Sequence, residues 1–174
     1  MTTVRQVRET VATRAHNGPV NASIRRGELG WVPASGIQLR KAGVQFDAVR
    51  VDGDDGRRVA GCLERMTNGD PGPIVAEGNG RRGTYFLLPP GSTVRNRWPA
   101  AAVRFNGAGP ERSYVPVPAL SGDTWPLSWL CPPTEPGRFV HPLLLCNAIV
   151  AVLVVAPAAE EYVRRAAGAH SPEG

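Results

Sequence analysis

Residues 78–91 read GNGRRGTYFLLPPG, and their reading decides the fold. The first six residues satisfy G-x-G-x-x-G. In a dinucleotide-binding fold that glycine turn follows a strand and opens a helix, whose N-terminal amides meet the pyrophosphate. Here the glycines lead into Thr84-Tyr85-Phe86-Leu87-Leu88, a β-branched, aromatic and aliphatic run, and Pro89 and Pro90 forbid a helix beyond it. The stretch therefore predicts an arginine-bearing hairpin tip that feeds a core strand. Arg81 and Arg82 stand at that tip, solvated or available to a phosphate.

Upstream, residues 44–51 (VQFDAVRV) alternate, with Val44, Phe46 and Ala48 pointing one way and Gln45, Asp47 and Val49 the other; this predicts a strand. A turn over 52–56 follows, then a helix over about 55–66 that puts Val59, Cys62, Leu63 and Met66 on one face, with Asp54 or Asp55 as its cap. The acids of the turn do not make a calcium loop: counted from Asp52, the fifth position is Gly56 and the twelfth is Leu63, where carboxylates are needed. Downstream, short strands are expected over 73–76, 84–88, 101–105, 114–117 and 127–130, and helices over 141–154 and 158–167. The order predicts one α/β (α+β) domain, a mixed and mostly antiparallel sheet with flanking helices. An amphipathic N-terminal helix is expected within 1–20, with Val4, Val7 and Val11 on one face of residues 3–15. The domain is expected over 21–167 and a frayed tail over 168–174. Residues 17–45 show no sustained period and read as irregular, with Trp31 as a packing anchor.

The bulk numbers fit that picture. With 42% hydrophobic and 20% charged residues among 174, a folded chain is expected, and Gly 20 with Pro 17 favours short elements and turns over a helical bundle. Three separated cysteines without a C-x-x-C, and a first segment without a hydrophobic signal core, suggest a reduced, cytoplasmic setting. Net charge is +5, and of the 20 basic residues only Lys41 is a lysine. Arginine forks suit phosphate and planar contacts.

Three segments together resemble a known family: FDAVRV, GRRGTYFLLPPGS and RSYVPVPALSGDTWPLSWLCPP. In order and approximate spacing, residues 44–133 resemble the N-terminal domain of bifunctional DNA primase/polymerases, the prim-pol family, and in particular short actinobacterial proteins carrying such a domain. The resemblance implies a nucleotidyltransferase fold whose early strand bears acidic metal ligands and whose His-x-Tyr-Phe-like strand meets the nucleotide. This chain departs from the pattern. Gln45, Asp47 and Val49 supply one carboxylate, Thr84 stands at the histidine position, and Pro118-Ala119-Leu120-Ser121 replaces Pro-Pro-Ser. Two-metal catalysis needs clustered carboxylates. The expectation is a catalytically degenerate domain, with Asp47 as a vestigial catalytic residue and no cofactor, Mg²⁺ entering only if the site still works. G-x-S-x-G, P-loop and H-E-x-x-H patterns are absent.

Two binding modes follow. Aromatics interleave with arginines from Arg81 to Trp129, as in single-strand binding grooves, and Arg95, Arg97 and Arg104 join Arg81 and Arg82 as nucleic-acid-binding candidates. The alternative is a protein-interaction or regulatory module using the apolar residues 142–159, PLLLCNAIVAVLVVAPAA. Their strongly apolar part, 143–155, makes about 20 Å of helix at ~1.5 Å per residue, short for a membrane span. A buried core helix, or a helix plus a strand, is the expected form; the alternative is a C-terminal membrane anchor, with Arg164 and Arg165 beyond it.

Overall fold

The run after the glycines is a strand, β4 (Thr84–Leu88), buried along its whole length. A strand covered on both faces needs a packing layer on each side, and the rest of the architecture supplies the two layers. The computed structural model describes residues 29–109 and 112–168. The N-terminal helix expected over 3–15 and residues 169–174 of the tail lie outside the described residues.

In chain order the other elements are β1 (Ile37–Lys41), β2 (Asp47–Val51), α1 (Gly53–Met66), β3 (Ile74–Glu77), α2 (Ser92–Arg95), β5 (Val103–Phe105), β6 (Tyr114–Pro118), β7 (Leu127–Cys131) and α3 (Pro142–Val150). The last continues through a π-helical turn (Ala151–Val155) into α4 (Ala156–Gly168). The fold is α/β, as the element order predicts. Its strands divide into two sheets, however: a five-stranded sheet in the order β5-β2-β4-β3-β7 and a ribbon of β1 with β6. All the described pairings are antiparallel.

One face of the large sheet presents Val49, Val51, Phe86 and Leu88 to Val59 and Leu63 of α1 and to Leu145, Ala148 and Ile149 of α3. The opposite face presents Ala48, Val75, Tyr85 and Leu87 to Trp31, Phe46 and the ribbon residues Val115 and Val117. Trp31 organises this second layer, edge-on to Phe46 at 5.2 Å and stacked on Phe139 at 6.2 Å. The opening glycines form the β3–β4 hairpin loop, in which Ala76 pairs with Thr84 and the Arg82 N–H donates to the Asn79 carbonyl at 2.8 Å.

Several expectations need correction. β1 lies inside the stretch read as irregular, and Val44 is exposed because β2 starts only at Asp47, after a turn closed by the Gly43 N–H on the Phe46 carbonyl. α1 begins at Gly53, so Asp52, not Asp54 or Asp55, holds the N-cap position; its carboxylate turns to Arg50 instead of capping the amides. Asp54 and Asp55 sit in the first turn, where negative charge suits the helix dipole. Met66 does not join the buried face with Val59 and Leu63. α1 also crosses β4 unusually closely: a Cβ on Gly56 would stand 2.5 Å from the Val51 carbonyl oxygen and 2.7 Å from Thr84 Oγ1.

The largest correction concerns the apolar C-terminal segment. Leu145, Ala148 and Ile149 are core residues, but the helix outruns the sheet, and Val154, Val155 and Tyr162 are 56%, 58% and 75% exposed. The buried-helix expectation holds for its first turns and fails beyond them.

Stability measurements will separate the two halves of this helix. Leu145→Ala should cost about 2–5 kcal/mol in urea denaturation, as a cavity does in a packed core. Val154→Ala should stay within about 0.5 kcal/mol.

Candidate functional site

Asp47, the one acid on the strand that the resemblance assigns to metal binding, points to the helical face of the sheet and is fully buried. Its Oδ2 accepts two hydrogen bonds from Thr93, from the backbone N–H at 3.0 Å and from the hydroxyl at 2.8 Å. Thr93 in turn accepts from Asn106 Nδ2 at its hydroxyl and from Trp98 Nε1 at its carbonyl, both at 3.0 Å. The carboxylate thus pins the short α2 turn, together with Trp98 and Asn106, onto the end of β2. Asp47 Oδ1 has no hydrogen-bond partner among the described residues.

This is the geometry of a structural tie. The next carboxylate along the chain, Asp52, is five positions on, about 16 Å along an extended strand and on the opposite face. Among the described residues no three His, Cys, Asp or Glu side chains are grouped to hold a metal. A pair of divalent cations, which the resemblance implies, does not fit these residues. Thr84, at the family's histidine position, is buried beneath α1, and its hydroxyl has no hydrogen-bond partner among the described residues.

The five candidate arginines fall into two groups. Arg81 and Arg82, at the hairpin tip, are drawn to the start of α1: Arg81 Nη1 lies 3.8 Å from Asp52 Oδ2 and Arg82 Nη2 lies 3.1 Å from Asp54 Oδ1. Asp52 is shared with Arg50, whose Nε stands 2.8 Å from Oδ1 and whose Nη2 donates to Oδ2 at 3.5 Å. The Arg50 guanidinium also lies 5.9 Å from the centre of the Tyr85 ring and 5.7 Å from that of Phe105. The tip charges are therefore largely matched. Arg95, Arg97 and Arg104 form the second group, at and just before the β5 edge, where Arg104 pairs across from Val49. All three are exposed, and none has a carboxylate within ion-pair distance among the described residues.

Burial, then Glu64 and Asp70, push the Cys131 thiol up, away from the reactive thiolate. Cys146 donates to the Arg97 carbonyl, and His141 is exposed at the start of α3.

The feature that sequence reasoning undervalued is the second half of the apolar helix. Pro142–Tyr162 is long and apolar enough to cross a bilayer, yet only 17% of its most apolar window is buried. Beside its π turn runs a row of α1 residues that sequence reasoning passed over: Arg57, Gly61 and Arg65, at i, i+4 and i+8, line a groove against Ala151, Val152 and Ala156. That spacing is visible in the sequence; the helix it faces is not.

Denaturation again tests the assignments. Asp47→Ala should cost about 1–3 kcal/mol, the range for stranding buried hydrogen-bond partners. A double-mutant cycle with Thr93→Val should show coupling between the two. Arg81→Ala and Arg82→Ala should each stay below about 1 kcal/mol, as exposed pairs do.

Compared with family models, curated proteins and solved structures, the chain gives no match.

Proposed function

We propose that this chain is a docking module, an α/β body that presents the exposed half of its C-terminal helix to a protein partner. The observation that carries the reading is the division of one continuous helix: Leu145, Ala148 and Ile149 anchor it in the core, and Val154, Val155 and Tyr162 face solvent. Contiguous apolar surface held outward by a rigid body marks an interaction site. The anchored start argues for a protein rather than a bilayer. A membrane span would have to withdraw Leu145, Ala148 and Ile149 from the core. Residues 150–159 alone make about 15 Å of helix, half of a ~30 Å hydrocarbon layer.

Placing a photo-crosslinking residue at position 155 in the producing cells should yield a discrete protein adduct, and the same residue at Asp123, on an exposed loop, should not. No adduct from position 155 would remove the docking reading. Truncation at residue 141 is unsuited to this test, because it deletes core residues.

A second reading is favoured by one observation: Arg95, Arg97 and Arg104, at and before the β5 edge, are exposed and have no carboxylate within ion-pair distance among the described residues. In it the chain holds nucleic acid through this group, without polymerase chemistry. Fluorescence anisotropy with single-stranded DNA should then show binding that weakens steeply with salt. Replacing the three arginines with alanine should abolish it, and equal binding by the triple variant would end this reading.

A further inference from the structure

The three arginines at and before the β5 edge sit on backbone whose hydrogen bonds converge on one buried residue, Thr93. Arg95 follows Thr93 by two positions in α2. Arg97 directly precedes Trp98, whose indole Nε1 donates to the Thr93 carbonyl at 3.0 Å. Arg104 stands two positions before Asn106, whose Nδ2 donates to the Thr93 hydroxyl at 3.0 Å. Each cation is thus within two positions of Thr93 or of a side chain bonded to it. The segment between them carries further ties: Asn96 Nδ2 donates to the Ser92 carbonyl at 3.0 Å, and the Cys146 thiol donates to the Arg97 carbonyl at 3.4 Å. Asn96 itself is extended, with φ −109° and ψ 146°, so the chain is drawn out between Arg95 and Arg97.

Thr93 is in turn held by Asp47. A helical turn of four residues is too short to hold itself, and Asp47 Oδ2 fixes this one by accepting from both the amide and the hydroxyl of Thr93. Burying a carboxyl group carries a desolvation cost that an apolar contact would not. What the carboxyl adds is direction: two bonds to one residue set the orientation of α2 on the end of β2. Asp47 and Thr93 are both fully buried, so neither reaches a ligand itself. Their influence on binding passes through the backbone that carries the arginines, as supporting residues act beneath a recognition surface.

We infer that Asp47, acting through Thr93, is the positioning residue of the Arg95, Arg97 and Arg104 group, and that it holds the three as a preformed array for neighbouring phosphates of one nucleic-acid strand. This rests on the second reading above and deepens it, naming what gives the arginines their arrangement. Backbone positions fixed before binding lower the ordering cost that a loose basic loop would meet.

Fluorescence anisotropy of the full chain with a labelled thymidine strand of ~15 nucleotides, repeated across salt concentrations, tests it. Native protein should give a log Kd against log [salt] slope of about 2, since each phosphate contact on a single strand contributes about 0.7. Thr93→Val, which keeps shape and charge, should weaken binding about three- to tenfold and lower that slope by about 0.7. Asp47→Asn removes a negative charge, so charge alone would tighten binding; positioning requires it to weaken binding by a similar factor. Both variants are read at a temperature at which circular dichroism shows them folded. Should they fail to fold, hydrogen exchange of the native chain decides: the Thr93 amide and the Trp98 indole N–H should be protected before DNA is added. Protection that appears only with DNA would overturn the inference. Unchanged affinity and slope in both variants, with binding lost in the triple alanine variant, would overturn it and leave the second reading standing. No binding by native protein, or equal binding by the triple variant, would remove both.

Discussion

A strand covered on both faces has no position to spare for a polar side chain, and β4 is the strand on which this protein is built. Tyr85 and Leu87 serve the layer of Trp31 and the β1–β6 ribbon; Phe86 and Leu88 serve the helices. The constraint spreads from there. α1 can lie over the strand only because Gly56 has no Cβ, and α3 must lend Leu145, Ala148 and Ile149 to close the helical side. The buried hydroxyl of Thr84, without a hydrogen-bond partner among the described residues, is a place where the strand breaks its own rule. It sits where α1 crosses most closely.

The elements governed by this constraint were legible in the sequence, because burial writes itself as apolar period and as Gly and Pro punctuation. The β4 run, the hairpin before it and the body of α1 were readable for that reason. β1 was not, because its pattern is inverted: Ile37 and Leu39 face outward, and Arg40, half-buried, donates its Nε to the Trp31 carbonyl at 2.7 Å. α2 is four residues long, too short for a period. Asp47 was visible as an acid on a strand, but its role comes from Thr93, 46 residues away, and only the fold makes them neighbours. The apolar segment 142–159 was misread in its second half because hydrophobicity alone does not say which side of a helix has a neighbour.

Charge is distributed along the same lines. Where arginines meet acids, at the hairpin tip and the start of α1, they fasten loop to helix through Asp52 and Asp54. Where they do not, they stand beside surfaces that the body leaves open: the β5 edge for Arg95, Arg97 and Arg104, and the groove rim for Arg57 and Arg65. A net charge of +5 in the chain therefore says less than the placement of its unmatched part. The acid that could have served chemistry was drawn inward, and the cations that could serve recognition were left outside.

The π-helical turn over Ala151–Val155 sets the angular phase of everything after it. In an α-helix each residue advances the azimuth by about 100°, and a π turn takes in an extra residue before the ladder resumes. Deleting a single residue between Ala151 and Val155 would let the backbone revert to a uniform α-helix with Ala156–Gly168 close to its present azimuth, whereas the same residues wound as plain α-helix would swing that segment around its axis by roughly 100°. The azimuth of Tyr162 and Glu160 is in this sense held by how the backbone of Ala151–Val155 is wound, so their neighbours would be exchanged by rewinding one turn, with no side chain replaced.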